Sequence, residues 1–145
     1  GLYVVPALGG EAVKLSDFSY ESGGWIGDHP LWVSDQQALI VADAPLRVIP
    51  LDGSGDFTPS GYDGKPLDGP RPDVMLWDQD DRQLVISGEA MFGNTVWIHA
   101  FSLDLRVVEG SELLTDGMLV GWWVPGESVL VIGSDGVQVL TLPRL

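Results

Sequence analysis

The stretch WDQDDRQLVI at residues 77–86 joins a tryptophan, across a polar turn, to an aliphatic triplet that begins seven residues later. The same arrangement occurs as WVSDQQALIV at residues 32–41 and as WVPGESVLVI at residues 123–132. The leading tryptophans are 45 and 46 residues apart, and VVP at residues 4–6 recurs 44 residues later as VIP at residues 48–50. This agreement predicts an internal repeat of about 45 residues.

The segments between the chain's 19 glycines and 10 prolines are short and rich in Val, Ile, Leu and Trp, which favours strands over long helices. A period of about 40 to 50 residues that holds several short strands is typical of a propeller blade, a four-stranded antiparallel sheet that packs on neighbouring blades. The predicted fold class is all-β, with β-propeller blades in an incomplete ring of about three to three and a half blades. A sandwich or barrel is the alternative, but neither requires this repeating element.

One partial β-propeller domain is predicted over residues 1–145. Its parts are strands c and d of a first blade at residues 1–20, whole blades at residues 25–67 and 74–115, and strands a to c of a last blade at residues 118–145. The tryptophan falls on strand a and the aliphatic triplet on strand b. Strand c is expected at residues 3–7, 47–51, 96–101 and 137–142, and strand d at residues 11–15 and 105–109, whereas residues 56–67 show no clear pattern.

The predicted ring does not close, because roughly 13 strands are fewer than the roughly 16 of the smallest closed propellers. Uncovered blade faces and sheet edges are aggregation sites that natural proteins cover. The sequence therefore predicts a protein partner, which is either a second copy that completes the propeller or another chain that carries the remaining blades.

The recurring tryptophans, Trp32, Trp77 and Trp123, are expected to pack between blades, as large aromatic residues at equivalent positions do. Trp122 alternates with Trp123 and is expected to face the other side of its strand. Trp122 is therefore a candidate binding residue.

The stretch LYVVPALGGEAVKL at residues 2–15 resembles the strand c, turn, Gly-Gly-Glu, strand d unit of TolB-like propeller repeats, which are relatives of WD-type blades. Residues 31–41 are similar to the start of the next blade in that family. The chain departs from the family in lacking a Ser-Pro-Asp-Gly turn after the tryptophans and in a lengthened connection at residues 88–94. The resemblance implies a bacterial protein of the periplasm or the extracellular space.

Charge and composition exclude several classes of function. Seven Lys and Arg against 21 Asp and Glu give a formal net charge of -14, which repels phosphate backbones and anionic lipids, so neither nucleic acid nor a membrane is an expected partner. The absence of cysteine excludes a disulfide framework, a zinc-thiolate site and a cysteine nucleophile.

No established catalytic motif is present, and the two histidines, His29 and His99, have no acidic partner at a suitable spacing, so the chain is predicted not to be an enzyme. No cofactor is expected, with calcium as the one alternative. Asp52 with Asp56, and Asp78 with Asp80, place carboxylates at spacings that suit a hard cation. Solvated turns that use Asp and Gly for their backbone preferences are the competing interpretation.

The polar, turn-rich segment at residues 60–73 is the best candidate for a contact surface, because loops on rigid scaffolds often carry function. Its candidate binding residues are Tyr62, Asp63, Asp68, Arg71 and Asp73. The favoured hypothesis is a non-catalytic, protein-binding propeller module within a larger assembly. The alternatives are part of the gating propeller of a prolyl-oligopeptidase-like serine peptidase, or a carbohydrate or calcium-dependent ligand site built on Trp122 and the acidic loops.

Overall fold

The computed structural model describes residues 1–17, 30–41, 46–61, 63–65, 67, 72–90 and 93–145. The regular secondary structure of these residues consists only of strands, so the predicted all-β class is confirmed. The strands are β1 (Leu2–Val4), β2 (Val13–Ser16), β3 (Leu31–Val33), β4 (Ala38–Val41), β5 (Arg47–Pro50), β6 (Pro72–Asp78), β7 (Gln83–Ala90), β8 (Gly93–Phe101), β9 (Val108–Asp116), β10 (Met118–Val124), β11 (Ser128–Gly133) and β12 (Gly136–Thr141).

These strands form four open antiparallel sheets, in which strands adjacent in sequence are also adjacent in the sheet. Sheet 1 contains β1 and β2, sheet 2 contains β3 to β5, sheet 3 contains β6 to β9, and sheet 4 contains β10 to β12. Short turns impose this order because they can join only antiparallel neighbours. At the first turn of sheets 2, 3 and 4 one residue has a positive φ: Gln37 at 48°, Arg82 at 50° and Gly126 at 74°.

The first turn of each of these three sheets is tied to the end of its third strand by a backbone hydrogen bond. In sheet 2 the amide of Leu51 donates to the carbonyl of Gln37 at 2.9 Å. The corresponding bonds are from Phe101 to Arg82 at 3.0 Å in sheet 3 and from Leu142 to Glu127 at 2.8 Å in sheet 4. The three sheets therefore share one local backbone arrangement, although their sequences differ.

Buried aliphatic clusters join the sheets face to face in chain order. Neighbouring residues on β4 point to different clusters, Ile40 toward sheet 3 and Val41 toward sheet 1. On β7, Leu84 points toward sheet 2 and Val85 toward sheet 4. Period-two alternation thus gives sheets 2 and 3 two apolar faces, each covered by a neighbour. The buried members are Leu15, Val41 and Ile49 between sheets 1 and 2; Val33, Ala38, Ile40, Leu46, Val48, Leu84, Phe101, Leu105 and Val108 between sheets 2 and 3; and Val85, Val96, Ile98, Leu119, Val129, Val131 and Leu142 between sheets 3 and 4.

The aliphatic triplets lie on β4, β7 and β11 as predicted, but the predicted strand at residues 105–109 is wrong in position. Leu105 takes a positive φ of 63° in a turn, and the strand is β9 instead. In place of a strand within the described part of residues 56–67, Phe57 forms an isolated bridge to Val48 at the edge of sheet 2. The presumed connection at residues 88–94 is mostly strand, because Ala90 pairs with Gly93.

The tryptophans of β10 are arranged in the reverse of the predicted way. Trp122 pairs with Val129 and packs on the cluster between sheets 3 and 4, whereas Trp123 is 61% exposed. A β-bulge between Trp122 and Val124 shifts the register and turns Trp123 outward. Trp32 pairs with Leu39 and Trp77 with Leu84, so Trp32, Trp77 and Trp122 are the equivalent residues, at spacings of 45 residues.

All three equivalent tryptophans lie on the sheet face that points to the preceding sheet. Trp77 packs on the cluster between sheets 2 and 3, with its ring edge-to-face on Phe101 at a centroid distance of 5.9 Å. Trp32 shares the face of its cross-strand partner Leu39, which packs on the cluster toward sheet 1. A tryptophan is therefore placed in the same way on each of three successive sheets.

Candidate interaction surface

Sheet 4 buries one of its faces and leaves the other open. Leu119 and Val131 point into the cluster shared with sheet 3. On the opposite face Met118, Ile132 and Val137 form one cross-strand row, with Ile132 at 49% and Val137 at 67% exposure. We define the open face as this row, the neighbouring pair Leu130 and Val139, and the exposed bulge residues Val120 and Trp123.

The open face is entirely uncharged. Strands β10, β11 and β12 have the sequences MLVGWWV, SVLVIG and GVQVLT, which contain no Asp, Glu, Lys or Arg. This is a marked contrast with a chain whose formal net charge is -14. A surface of this kind repels neither sign of charge and offers only apolar contact, so it fits another apolar surface and no charged ligand.

Equivalent positions in the other sheets show what a covered face looks like. Ile40, Val85 and Leu130 are each 45 residues apart and each lie in the middle of the second strand of their sheet. Ile40 and Val85 are fully buried beneath the following sheet, whereas Leu130 remains partly exposed. The open face therefore resembles the faces that are buried in sheets 2 and 3, but no sheet of the described residues covers it.

A cleft of about 220 Å³ lies at the junction of sheets 3 and 4, and the segment after β12 forms one wall. Arg144 pairs with Asp81 at 3.2 Å. The Gln83 side chain, with its amide oriented to satisfy both partners, donates to the carbonyl of Pro143 at 3.1 Å and accepts from the amide of Leu145 at 2.9 Å. The polar groups at this junction hold residues 142–145 against sheet 3, which is a structural role.

Asp78, a predicted cation ligand, is buried at the same junction. Its Oδ1 accepts a hydrogen bond from the amide of Asp80 at 3.1 Å, while its Oδ2 is buried with no hydrogen-bond partner among the described residues. A Cβ on Gly126 would lie 3.2 Å from Oδ1, so the carboxyl abuts the first turn of sheet 4. Burial raises the pKa of Asp78.

The other predicted cation ligands serve turns and an ion pair. Asp52 accepts a hydrogen bond from the amide of Ser54 at 2.8 Å, and Asp80 is exposed. Asp56 accepts hydrogen bonds from the Ser16 hydroxyl and the Arg47 guanidinium, both at 3.0 Å. Within the described ranges, no three His, Asp or Glu side chains are grouped so that they could hold a metal ion.

Among the predicted contact residues, Tyr62, Asp68 and Arg71 lie outside the described residues. Asp63 accepts a hydrogen bond from the amide of Lys65 at 3.1 Å in an exposed turn, and Asp73 is exposed on β6. Trp122, which packs on the cluster between sheets 3 and 4, is not a free aromatic platform.

His99 lies on β8, with its ring stacked on Trp97 at a centroid distance of 6.2 Å and an interplanar angle of 4°. Its Nδ1 is 2.7 Å from the hydroxyl oxygen of Ser111 on β9. Burial lowers the pKa of His99 to about 4, so the ring is neutral at pH 7. The Ser111 hydroxyl therefore supplies a hydrogen-bond partner for the neutral ring. This pairing was not predicted, because the two residues are 12 positions apart in the sequence.

The sequence predicted that some blade face would be uncovered but did not single out these residues, although a signal for them exists: three consecutive strands contain no charge. No helix in the described part of the chain is long and apolar enough to cross a membrane. No protein-family model, curated protein or solved structure matches this chain.

Proposed function

We propose that the chain is a segment of a β-propeller that works as a non-catalytic, protein-binding module. The arrangement of the sheets supports the propeller: successive antiparallel sheets pack face to face in chain order. A tryptophan facing the preceding sheet at intervals of 45 residues supports a blade repeat, as does the shared bond between the first turn and the end of the third strand.

The open face of sheet 4 is the observation that carries the binding function. Large contiguous apolar patches on soluble proteins mark surfaces that contact other molecules. The open face spans three strands, contains no charge and corresponds to faces that are buried in sheets 2 and 3. Covering it with another protein would complete the burial that the neighbouring sheets already have.

The environment of His99 supports a structural role for the one histidine in the described residues. It is buried and neutral and lies within hydrogen-bond distance of Ser111, and no acidic group of the described residues hydrogen-bonds to it. A general base needs access to a substrate proton, which a ring stacked on Trp97 inside sheet 3 does not have.

Fluorescence of the neutral dye Nile red tests the binding function, because it increases on apolar surfaces and an uncharged dye is not repelled by an acidic chain. The double variant Ile132→Thr, Val137→Thr changes a directly opposed pair on the open face and keeps the β-branched shape that strands favour. Leu103→Thr is the matched control, since Leu103 and Val137 are both 67% exposed and Leu103 lies in a turn outside sheet 4.

We expect the dilute native chain to increase the fluorescence several-fold, the double variant to lose at least half of the increase, and Leu103→Thr to retain it. No increase with the native chain, or an equal loss in the control, would contradict the proposal.

A further inference from the structure

We infer that a second copy of this chain covers the open face, so that two copies pack sheet 4 against sheet 4 about a two-fold axis. This inference rests on the proposed function and names the partner of the same surface. A two-fold contact is the commonest arrangement of homodimers, and it places the same patch on both sides of the interface.

The size of the open face favours another copy of itself over the other exposed sheet. Strands β10, β11 and β12 have seven, six and six residues, whereas β1 and β2 have three and four. Sheet 1 faces sheet 2 with Leu2 and Leu15, so Tyr3 and its cross-strand partner Lys14 are on its outward side. Packing that side on sheet 4 would leave much of the open face uncovered and would bring Lys14 onto an apolar surface.

The area also suits a dimer of moderate strength. The open-face side chains, most of them about half exposed or more, offer several hundred Å² of apolar surface, against about 800 Å² per partner in a stable interface of standard size. Two such faces packed as sheets are about 10 Å apart, with interdigitated side chains and no buried charge, because the three strands contain none. We therefore expect a concentration-dependent dimer of roughly micromolar affinity.

The charge of the chain gives this dimer a distinctive dependence on salt. Each copy carries a formal net charge of -14 outside the uncharged face, so the two copies repel one another at a distance. Added salt screens that repulsion and leaves the apolar contact intact, so dimerisation strengthens as ionic strength rises. A partner held by opposite charges would show the reverse trend.

Light scattering coupled to size exclusion, over about a hundredfold range of concentration and at low and high salt, measures the association. We expect the mass to rise from 15.6 kDa toward twice that value as concentration increases, and to come closer to it at high salt. The double variant Ile132→Thr, Val137→Thr should remain monomeric and Leu103→Thr should follow the native chain. A native chain that stays monomeric throughout would overturn the inference.

Cross-linking identifies the surface without relying on a disruptive variant, because the chain contains no cysteine. Leu130→Cys and Ile132→Cys, made separately, place a thiol on the central strand of sheet 4, where a two-fold axis would bring each near its own copy. We expect oxidation to give a covalent dimer from at least one of them and none from Leu103→Cys. Dimers that cross-link equally at Leu103 would overturn the proposed surface.

The two proposals fail in different ways. A monomer that still binds Nile red through Ile132 and Val137 would leave the protein-binding function standing and assign the open face to a different protein. A monomer that binds no dye would remove both.

Discussion

Sheets 3 and 4 have the same hairpin order and similar aliphatic strands, but they differ in what surrounds them. Sheet 3 lies between two neighbours, so Leu84 on one side and Val85 on the other are fully buried. Within the described part of the chain sheet 4 has one neighbour, so Val129 is buried while the adjacent Leu130 is partly exposed. An apolar strand therefore shows that a face is suited to burial, and only the packing shows whether it is buried.

Charge separates the two sheets further. Sheet 3 carries acidic residues on its strands, among them Asp73, Glu109 and Glu112, which are exposed. Sheet 4 has none on any of its strands. Charged residues on exposed edge strands are a common protection against unwanted pairing and aggregation, and the strands of sheet 4 lack this protection.

The largest expected difference between the sheets comes from the same substitution at two isoleucines. Ile98 on β8 is fully buried between sheets 3 and 4, and Ile132 on β11 is about half exposed on the open face. Truncation of a buried isoleucine costs the transfer free energy and leaves a cavity, so Ile98→Ala should lower the free energy of unfolding by about 3 to 4 kcal/mol. For Ile132→Ala we expect about 1 kcal/mol or less.

Urea denaturation at low protein concentration, where association does not contribute, measures both isoleucine variants. Equal losses at Ile98 and Ile132 would mean that the open face is already covered in the isolated chain.

A pH dependence of stability should distinguish sheet 3, which buries His99. The pKa of His99 falls from an ordinary value of 6.5 to about 4 on folding, so the unfolded chain takes up the proton first as pH falls. The stabilisation is fully present above pH 6.5 and is lost as pH falls from there toward about 4. At 1.36 kcal/mol per pKa unit, the loss amounts to about 3 kcal/mol.

Urea denaturation of the native chain and of His99→Gln, from pH 7 to pH 4, isolates this contribution because the carboxylates titrate in both proteins. The difference in the free energy of unfolding between the two should change across that interval by the expected amount. A constant difference would show that His99 is not buried as a neutral ring.

The strands were predictable from the sequence where alternation and β-branched residues dominate, as at residues 39–41, 84–86 and 130–132. The placement of Trp122 was not, because a bulge depends on how two strands pair and leaves no trace in the composition. The spacing of the tryptophans does indicate it, because Trp122 lies 45 residues after Trp77, which lies 45 residues after Trp32. The spacing of seven residues to the aliphatic triplet at residues 130–132 instead favours Trp123.

The candidate site was less predictable than the fold. Asp63 and Asp52 were predicted as site residues because carboxylates in loops often bind ligands. Each instead accepts a hydrogen bond from a backbone amide of its own turn. The open face consists of ordinary strand residues, and whether Ile132 or Val131 is buried depends on which side of sheet 4 meets sheet 3. Tertiary packing decides which side is buried, and the hydrophobic pattern of a single sequence does not predict it.

The junction between the compared sheets should be weakened by Gln83→Ala. The variant removes the amide that bonds to the carbonyl of Pro143 and the amide of Leu145, and these groups lose partners at the edge of the junction. We expect a loss of about 2 kcal/mol in the free energy of unfolding. Gln138→Ala on β12 is the control and should cost about 0.5 kcal/mol or less, since it changes a partly exposed glutamine of sheet 4. Similar losses in both variants would argue against a role of Gln83 in holding residues 142–145 against sheet 3.

The smallest expected effect is a gain in stability from Asp78→Asn at the same junction. Burial raises the pKa of Asp78, so the folded chain binds its proton more readily than the unfolded chain, and the ionised form at pH 7 is unfavourable to folding. Because Asn keeps an oxygen to accept from the amide of Asp80 and carries no charge, it should stabilise the chain by about 1 kcal/mol at pH 7.

As pH falls through the folded-state pKa of Asp78, the native carboxyl becomes neutral and the advantage of Asn should disappear. Thermal denaturation at pH 7 and at low pH, beside the exposed control Asp135→Asn in the turn between β11 and β12, measures the effect. A gain at pH 7 that persists unchanged in acid would come from packing rather than charge. A loss at pH 7 would contradict this expectation, because it would mean that the site accommodates the carboxylate better than the neutral amide.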